Sequence, residues 1–92
     1  MPSDRVRKRV IVRGRVQGVF FRDSMRERSK AHGVAGWVRN RGDGSVEAVL
    51  EGSAEAVDRV LRFSETGPPQ AEVKDMEIKD EAPEGLEGFE VR

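Results

Sequence analysis

At 92 residues the chain has material for one compact domain, residues 1–92, and little beyond it. Hydrophobic residues at 36% plus ten glycines give an apolar share ordinary for a globular domain, which excludes a disordered chain, while the absence of Cys and a single His remove thiol nucleophiles, disulfides, thiolate zinc sites and multi-histidine metal sites. Seventeen basic residues balance seventeen acidic ones, but residues 1–41 hold 12 Lys and Arg against 3 Asp and Glu, and residues 69–92 hold 3 against 8.

No stretch approaches the roughly 18 apolar residues of a membrane span, and the charged N-terminus lacks the apolar core of a signal peptide. A soluble, cytoplasmic protein is therefore expected.

Along the chain, Arg5 to Arg13 sets Val6, Val10 and Val12 against Arg7, Arg9 and Arg13, with Lys8 and Ile11 out of pattern, and reads as a first strand. The loop Gly14 to Val19 follows. From about Phe21 to His32 there is no β-branched residue, and Gly33 supplies a left-handed stop, which predicts a first helix. Val34–Asn40 and Ser45–Glu51 are strand-like and flank Arg41-Gly42-Asp43-Gly44, whose Asp-Gly suits a tight turn, so they form a hairpin. Ser53 can cap a second helix in which Ala54, Val57, Val60, Leu61 and Ser64 fall at helical spacing, ended by Gly67-Pro68-Pro69. Ala71 to Lys79 alternates less cleanly as a fourth strand, and after an acidic Pro- and Gly-containing stretch Phe89–Arg92 can add a short final strand.

This order predicts an α+β fold, a ferredoxin-like βαββαβ sandwich with two helices on one face of an antiparallel sheet. A helical crossover makes the first two strands parallel, so their C-terminal ends share one edge. The Gly14 to Phe21 loop and Asn40 become neighbours there.

Gly14-Arg15-Val16-Gln17-Gly18-Val19-Phe20-Phe21-Arg22 is a glycine-containing loop entering a helix, where backbone N–H groups and the helix N-terminus can cradle a phosphate and a fork-shaped arginine can bind two of its oxygens. It lacks both the GxxxxGK[ST] and GxGxxG patterns, and many such loops merely turn the chain. That loop, followed by Gly36-Trp37-Val38-Arg39-Asn40 and Asp43-Gly44-Ser45-Val46-Glu47, resembles the two signature regions of the acylphosphatase family. The resemblance extends through Gly67-Pro68-Pro69 to the terminal Phe89-Glu90-Val91-Arg92.

The resemblance implies hydrolysis of a small-molecule acyl phosphate to a carboxylate and inorganic phosphate, without a metal or other cofactor. It makes Arg22 the phosphate-binding arginine, Asn40 the residue that positions the attacking water, and the amides of Arg15, Val16, Gln17, Gly18, Val19, Phe20 and Phe21 the cradle. Arg41 stands where the animal enzymes have Thr, so it either adds positive potential or points into water. A monomer that binds neither membrane nor nucleic acid is expected. The basic excess over residues 1–41 would then steer an anionic substrate.

The remaining candidates read as structural. His32 falls in the last turn of the first helix, where the helix dipole favours it, and Asp23 and Glu27 are ordinary first-turn acids exposed to solvent. Phe21 and Met25, at i,i+4 spacing, suit the core, as Trp37 and Phe63 suit core or half-buried positions. The alternative is a non-catalytic ferredoxin-like module binding RNA or a small anion, since RNA-recognition modules share the βαββαβ order. Against RNA, Ser45–Glu51 has two acids and no aromatic residue on which a base could stack.

Overall fold

The structure is a computed structural model and describes residues 5–92; the first four residues, which enter the single unit 1–92 and the expectation of no signal peptide, lie outside the described residues. In chain order the elements are β1 (Arg5–Arg15), α1 (Phe21–Ala31), β2 (Ala35–Asn40), β3 (Val46–Ser53), α2 (Ala54–Thr66), β4 (Glu72–Glu81) and β5 (Phe89–Val91). The sheet order is β4-β1-β3-β2-β5. β3 runs antiparallel to both β1 and β2, and β4 antiparallel to β1, so β1 and β2 are parallel with β3 between them.

The first four strands form the antiparallel sheet that the element order predicts, and β5 makes it mixed by lying parallel to β2. Topology explains this. β4 finishes at the end of the sheet where β2 begins, so a segment that crosses there and turns back must run in the direction of β2.

Val10, Val12, Val38, Val46, Ala48 and Leu50 point from alternate strand positions toward Phe21 and Met25 of α1 and Val57, Val60 and Leu61 of α2, forming one core. Each of these larger side chains gains about 1.5–3 kcal/mol on leaving water. In α2, extended Ser53 accepts the Ala56 N–H on Oγ at 3.1 Å, and Val57, Val60, Leu61 and Ser64 are buried as the spacing predicts, whereas Ala54 is exposed at the first turn. In α1 the cap is His32, whose N–H donates to the Arg28 carbonyl, and Gly33 has the left-handed φ of 70°.

The uneven alternation of β4 has a structural cause. Arg13 pairs with Asp75 but Gly14 pairs with Val73, so Lys74 is an extra residue on β4. The bulge shifts the side-chain period by one, and both Val73 and Met76 pack against the core. Gly14 has φ 127°, and a Cβ there would stand 2.3 Å from the Glu72 carbonyl oxygen, so only glycine fits where β1 is turned into the loop.

Residues 82–88 return from β4 to β5 over a buried carboxylate. Glu51 is fully buried on β3 and accepts the N–H groups of Glu84, Gly85 and Leu86, each at 2.8 Å, while the Arg5 guanidinium donates to it at 2.9 Å. Burial pushes its carboxyl up, but the amides of Glu84, Leu86 and Gly85 and the Arg5 guanidinium outweigh burial and hold it at about 2, well below the ordinary 4.5. A depression of that size is worth on the order of 3 kcal/mol. Because the folded state holds the carboxyl below its unfolded value, this stabilisation is full above pH 4.5 and lost as pH falls toward 2. Urea titrations of wild type and Glu51→Gln should show a gap of a few kcal/mol at pH 7 that closes across this window. A gap unchanged with pH would contradict the assignment. No helix among the described residues is long and apolar enough to cross a membrane.

Candidate active site

The parallel β1 and β2 end on the same side of the sheet, which brings the loop after β1 beside Asn40, the last residue of β2. Arg15 itself belongs to β1, opposite Glu72, so the free part of the loop begins at Val16. Val16 and Val19 bury their side chains in the core and pin the loop from below. Between and beyond them Gly18 and Phe20 take left-handed conformations, φ 73° and 65°. Phe20 is the only non-glycine residue with positive φ among those described, and it is 67% exposed at the entrance to α1.

Phe21 is the first residue of α1, buried and packed against Phe63 with ring centroids 6.3 Å apart. Arg22 follows at the second position. The core contact of Phe21 thereby fixes the direction in which the helix N-terminus presents its amides.

No amide N–H from Val16 to Asp23 donates a hydrogen bond to another described residue, and α1 has no side-chain cap. A helix leaves its first N–H groups without internal partners, and here a loop of further free amides continues the run. A cleft of about 320 Å³ opens on them, lined by Val16, Gly18, Phe20, Phe21, Arg22, Asp23, Asn40 and Val91.

Arg22 and Asn40, the two side chains that the sequence singles out for chemistry, thus share one cleft. Neither has an internal partner there. Arg22 forms no ion pair or hydrogen bond with a described residue, and the Asn40 Oδ1 is buried without a hydrogen-bond partner. A buried orphan acceptor costs about 1–3 kcal/mol, a cost proteins ordinarily avoid, and it marks the place where a donor from outside would sit. Arg15, Gln17 and Val19 do not line the cleft. Two further residues line the cleft: Val91, which had no signal at the sequence level and arrives through the β2–β5 pairing, and Asp23, which is 63% exposed and 3.7 Å from Arg26, a solvated first-turn acid as expected but at the rim.

The basic front of the sequence does not converge on this cleft. Arg7 pairs with Glu81 and Glu84, Arg9 with Glu47 and Glu81, Arg13 with Asp75 and Glu77, Arg39 with Glu47, and Lys8 with Asp80. Glu47 lies under opposed influences, with burial raising its carboxyl and hydrogen bonds from Arg39 and Arg9 lowering it further, so that it stays below the ordinary range. The Arg7, Arg9, Arg13 and Arg39 pairs cover the sheet face opposite the helices, where Arg9, Arg39 and Arg92 also surround the Trp37 ring. The N-terminal excess as a whole therefore does not face the cleft; the positive groups that do are the free amides of the loop, the N-terminus of α1, and Arg22. Arg41 turns toward Asp43, with 3.9 Å between Nη2 and the carboxylate and with Nη1 buried and unpartnered. His32 is at the opposite end of α1 from the cleft. No group of three His, Asp or Glu side chains suited to a metal ion occurs among the described residues.

The chain and its fold are similar to known proteins. Residues 8–91 match the profile of the Acylphosphatase family. An acylphosphatase of Rubrobacter xylanophilus is 60% identical over 87 residues, covering 94% of this chain and 79% of the relative, and one of Thermococcus kodakarensis is 53% identical over 87 residues, covering 95% and 96%. The crystal structure of acylphosphatase from Bacillus subtilis superposes with a TM-score of 0.91 at 35% identity, covering 95% of this chain and 98% of that one. The chain belongs to the acylphosphatase family.

Proposed function

We propose that Arg22 and the amides of the Arg15–Phe21 loop, from Val16 onward, hold the phosphoryl group of an acyl phosphate while Asn40 positions the water that attacks it. The protein is an acylphosphatase, a hydrolase that cleaves the carboxyl–phosphate bond. The observation that supports this division of labour is the buried, unpartnered Asn40 Oδ1 in the same cleft as an unpaired arginine and a run of free amides.

In this reading the guanidinium fork of Arg22 and the amides take the nonbridging phosphoryl oxygens. The Asn40 Oδ1 accepts a hydrogen bond from a water molecule, which fixes its oxygen in line with the bond to be broken. The water oxygen bonds to phosphorus, the P–O bond to the acyl group breaks, and the carboxylate leaves with the electron pair. The water proton passes to a phosphoryl oxygen, so the products are carboxylate and inorganic phosphate.

A carboxylate is a good leaving group and the substrate carries its own basic oxygens, so orientation and charge stabilisation can suffice. Loop, arginine and asparagine all come from one chain, and we infer a cytoplasmic monomer that acts on a small-molecule substrate and not on nucleic acid. The test is turnover of an aryl acyl phosphate in buffer containing a chelator. Full activity is expected there. Activity that disappears with chelator and returns with a divalent cation would overturn the metal-free reading, and no turnover in either buffer would overturn the function.

A further inference from the structure

Gln17 lies in the middle of the loop, yet its side chain is not in the cleft. Its Nε2 donates to the Arg41 carbonyl at 2.8 Å and to the Ser45 carbonyl at 2.9 Å, the two ends of the β2–β3 turn. Arg41 immediately follows Asn40. A single half-buried amide therefore ties the loop that would hold phosphate to the strand end that carries the water-binding residue.

The β2–β3 turn does not need this bond for its own closure. The Arg41 N–H donates to the Ser45 carbonyl at 2.8 Å, the Gly44 N–H to the Arg41 carbonyl at 3.2 Å, and the Asp43 carboxylate accepts both the amide and the hydroxyl of Ser45. Those hydroxyl and amide bonds hold the Asp43 carboxyl below its ordinary value. Both carbonyls that Gln17 reaches thus keep another donor without it, and no buried acceptor is orphaned by its loss. Val16 and Val19 meanwhile anchor the loop to the core independently. What Gln17 alone supplies is the link between two separately stable pieces, loop and turn.

We propose that the Gln17 side chain is a positioning residue for hydrolysis, setting the distance from the phosphate cradle to the Asn40 Oδ1. This rests on the division of labour between Arg22 and Asn40 given above. In-line attack is sensitive to displacements of about 1 Å, which can cost on the order of a hundredfold in rate, whereas the cradle itself stays intact.

The experiment is a double-mutant cycle of Gln17→Leu and Asn40→Ala, with kcat, inorganic phosphate affinity and thermal midpoint measured for each folded variant. Gln17→Leu should lower kcat about ten- to a hundredfold while phosphate affinity stays within about threefold of wild type. In the Asn40→Ala background the same substitution should change kcat by less than about twofold, because the residue it positions is gone. Gln17→Glu, of similar size, provides a second readout: its loss relative to wild type should be large at pH 7 and shrink as the new carboxyl protonates and can donate again.

Losses that multiply across the cycle, or a fall in phosphate affinity parallel to kcat, would overturn the positioning role and leave the Asn40 assignment standing. Wild-type kcat in Asn40→Ala would instead overturn the assignment beneath it, and the proposal with it.

Discussion

Arg22→Ala is expected to lower kcat/KM for an acyl phosphate about a thousandfold or more while leaving the fold intact. The stability side follows from its surroundings: Arg22 makes no ion pair or hydrogen bond with a described residue, so its removal orphans nothing, and Phe21 and Met25 continue to hold α1 in the core. The kinetic side follows from charge. A guanidinium bound to two oxygens of a phosphoryl dianion in a partly desolvated cleft is worth several kcal/mol, and loss of one such arginine in phosphoryl transfer typically costs on the order of 10³–10⁵ in rate. Arg22→Lys keeps the charge but not the fork, and should recover only part of the loss. Steady-state kinetics together with a thermal midpoint decide the point. A thousandfold loss accompanied by a collapsed midpoint would place Arg22 in the fold rather than in the chemistry.

Asn40→Ala should show the other pattern, with kcat lower by about 10²–10³ and KM within a few-fold of wild type. Its stability should not fall. The Oδ1 atom is already buried and unpartnered, so truncation removes an unsatisfied acceptor instead of breaking a bond. A thermal midpoint equal to or above that of wild type is the expected result. A variant that is less stable and equally active would show that the asparagine side chain serves the end of β2 and not the reaction.

The architecture was largely legible because its signals are local. Ser53 before an apolar period of three and four residues marks α2, Gly33 closes α1, and Asp43-Gly44 turns the hairpin, each through a preference that acts within a few residues. The irregular reading of β4 reflects a bulge, and a bulge is a property of two strands in register; Val73 and Met76 face one side because Lys74 is an extra residue between them, a shift that Gly14 on β1 accommodates. Parallel pairing of β5 depends in the same way on where β4 leaves the sheet, so Val91 could not be placed at the cleft from Phe89–Arg92 alone.

The pairing of charges was hidden for a related reason. Arg7, Arg9 and Arg13 alternate along β1 as a basic stripe, but the acids that neutralise them come from β3, β4 and the segment after β4, about forty to eighty positions later. Charge counted along the sequence therefore overstated the field at the cleft. Arg22 and Asn40 were legible as candidates through the family resemblance, and crossover topology accounts for the loop after β1 and the end of β2 lying side by side. The Gln17 link was not, since a glutamine amide in a loop gives no sequence-level sign of which carbonyls it will reach.

The division of labour between anion binding and water positioning is tested most directly by the dissociation constant of inorganic phosphate, measured by calorimetry on wild type, Arg22→Ala and Asn40→Ala at one pH and salt concentration. The account predicts affinity within about threefold of wild type for Asn40→Ala and at least about tenfold weaker for Arg22→Ala, since only the second loses a charge-assisted contact to the anion. Equal weakening in both variants, or undiminished phosphate binding without Arg22, would contradict it.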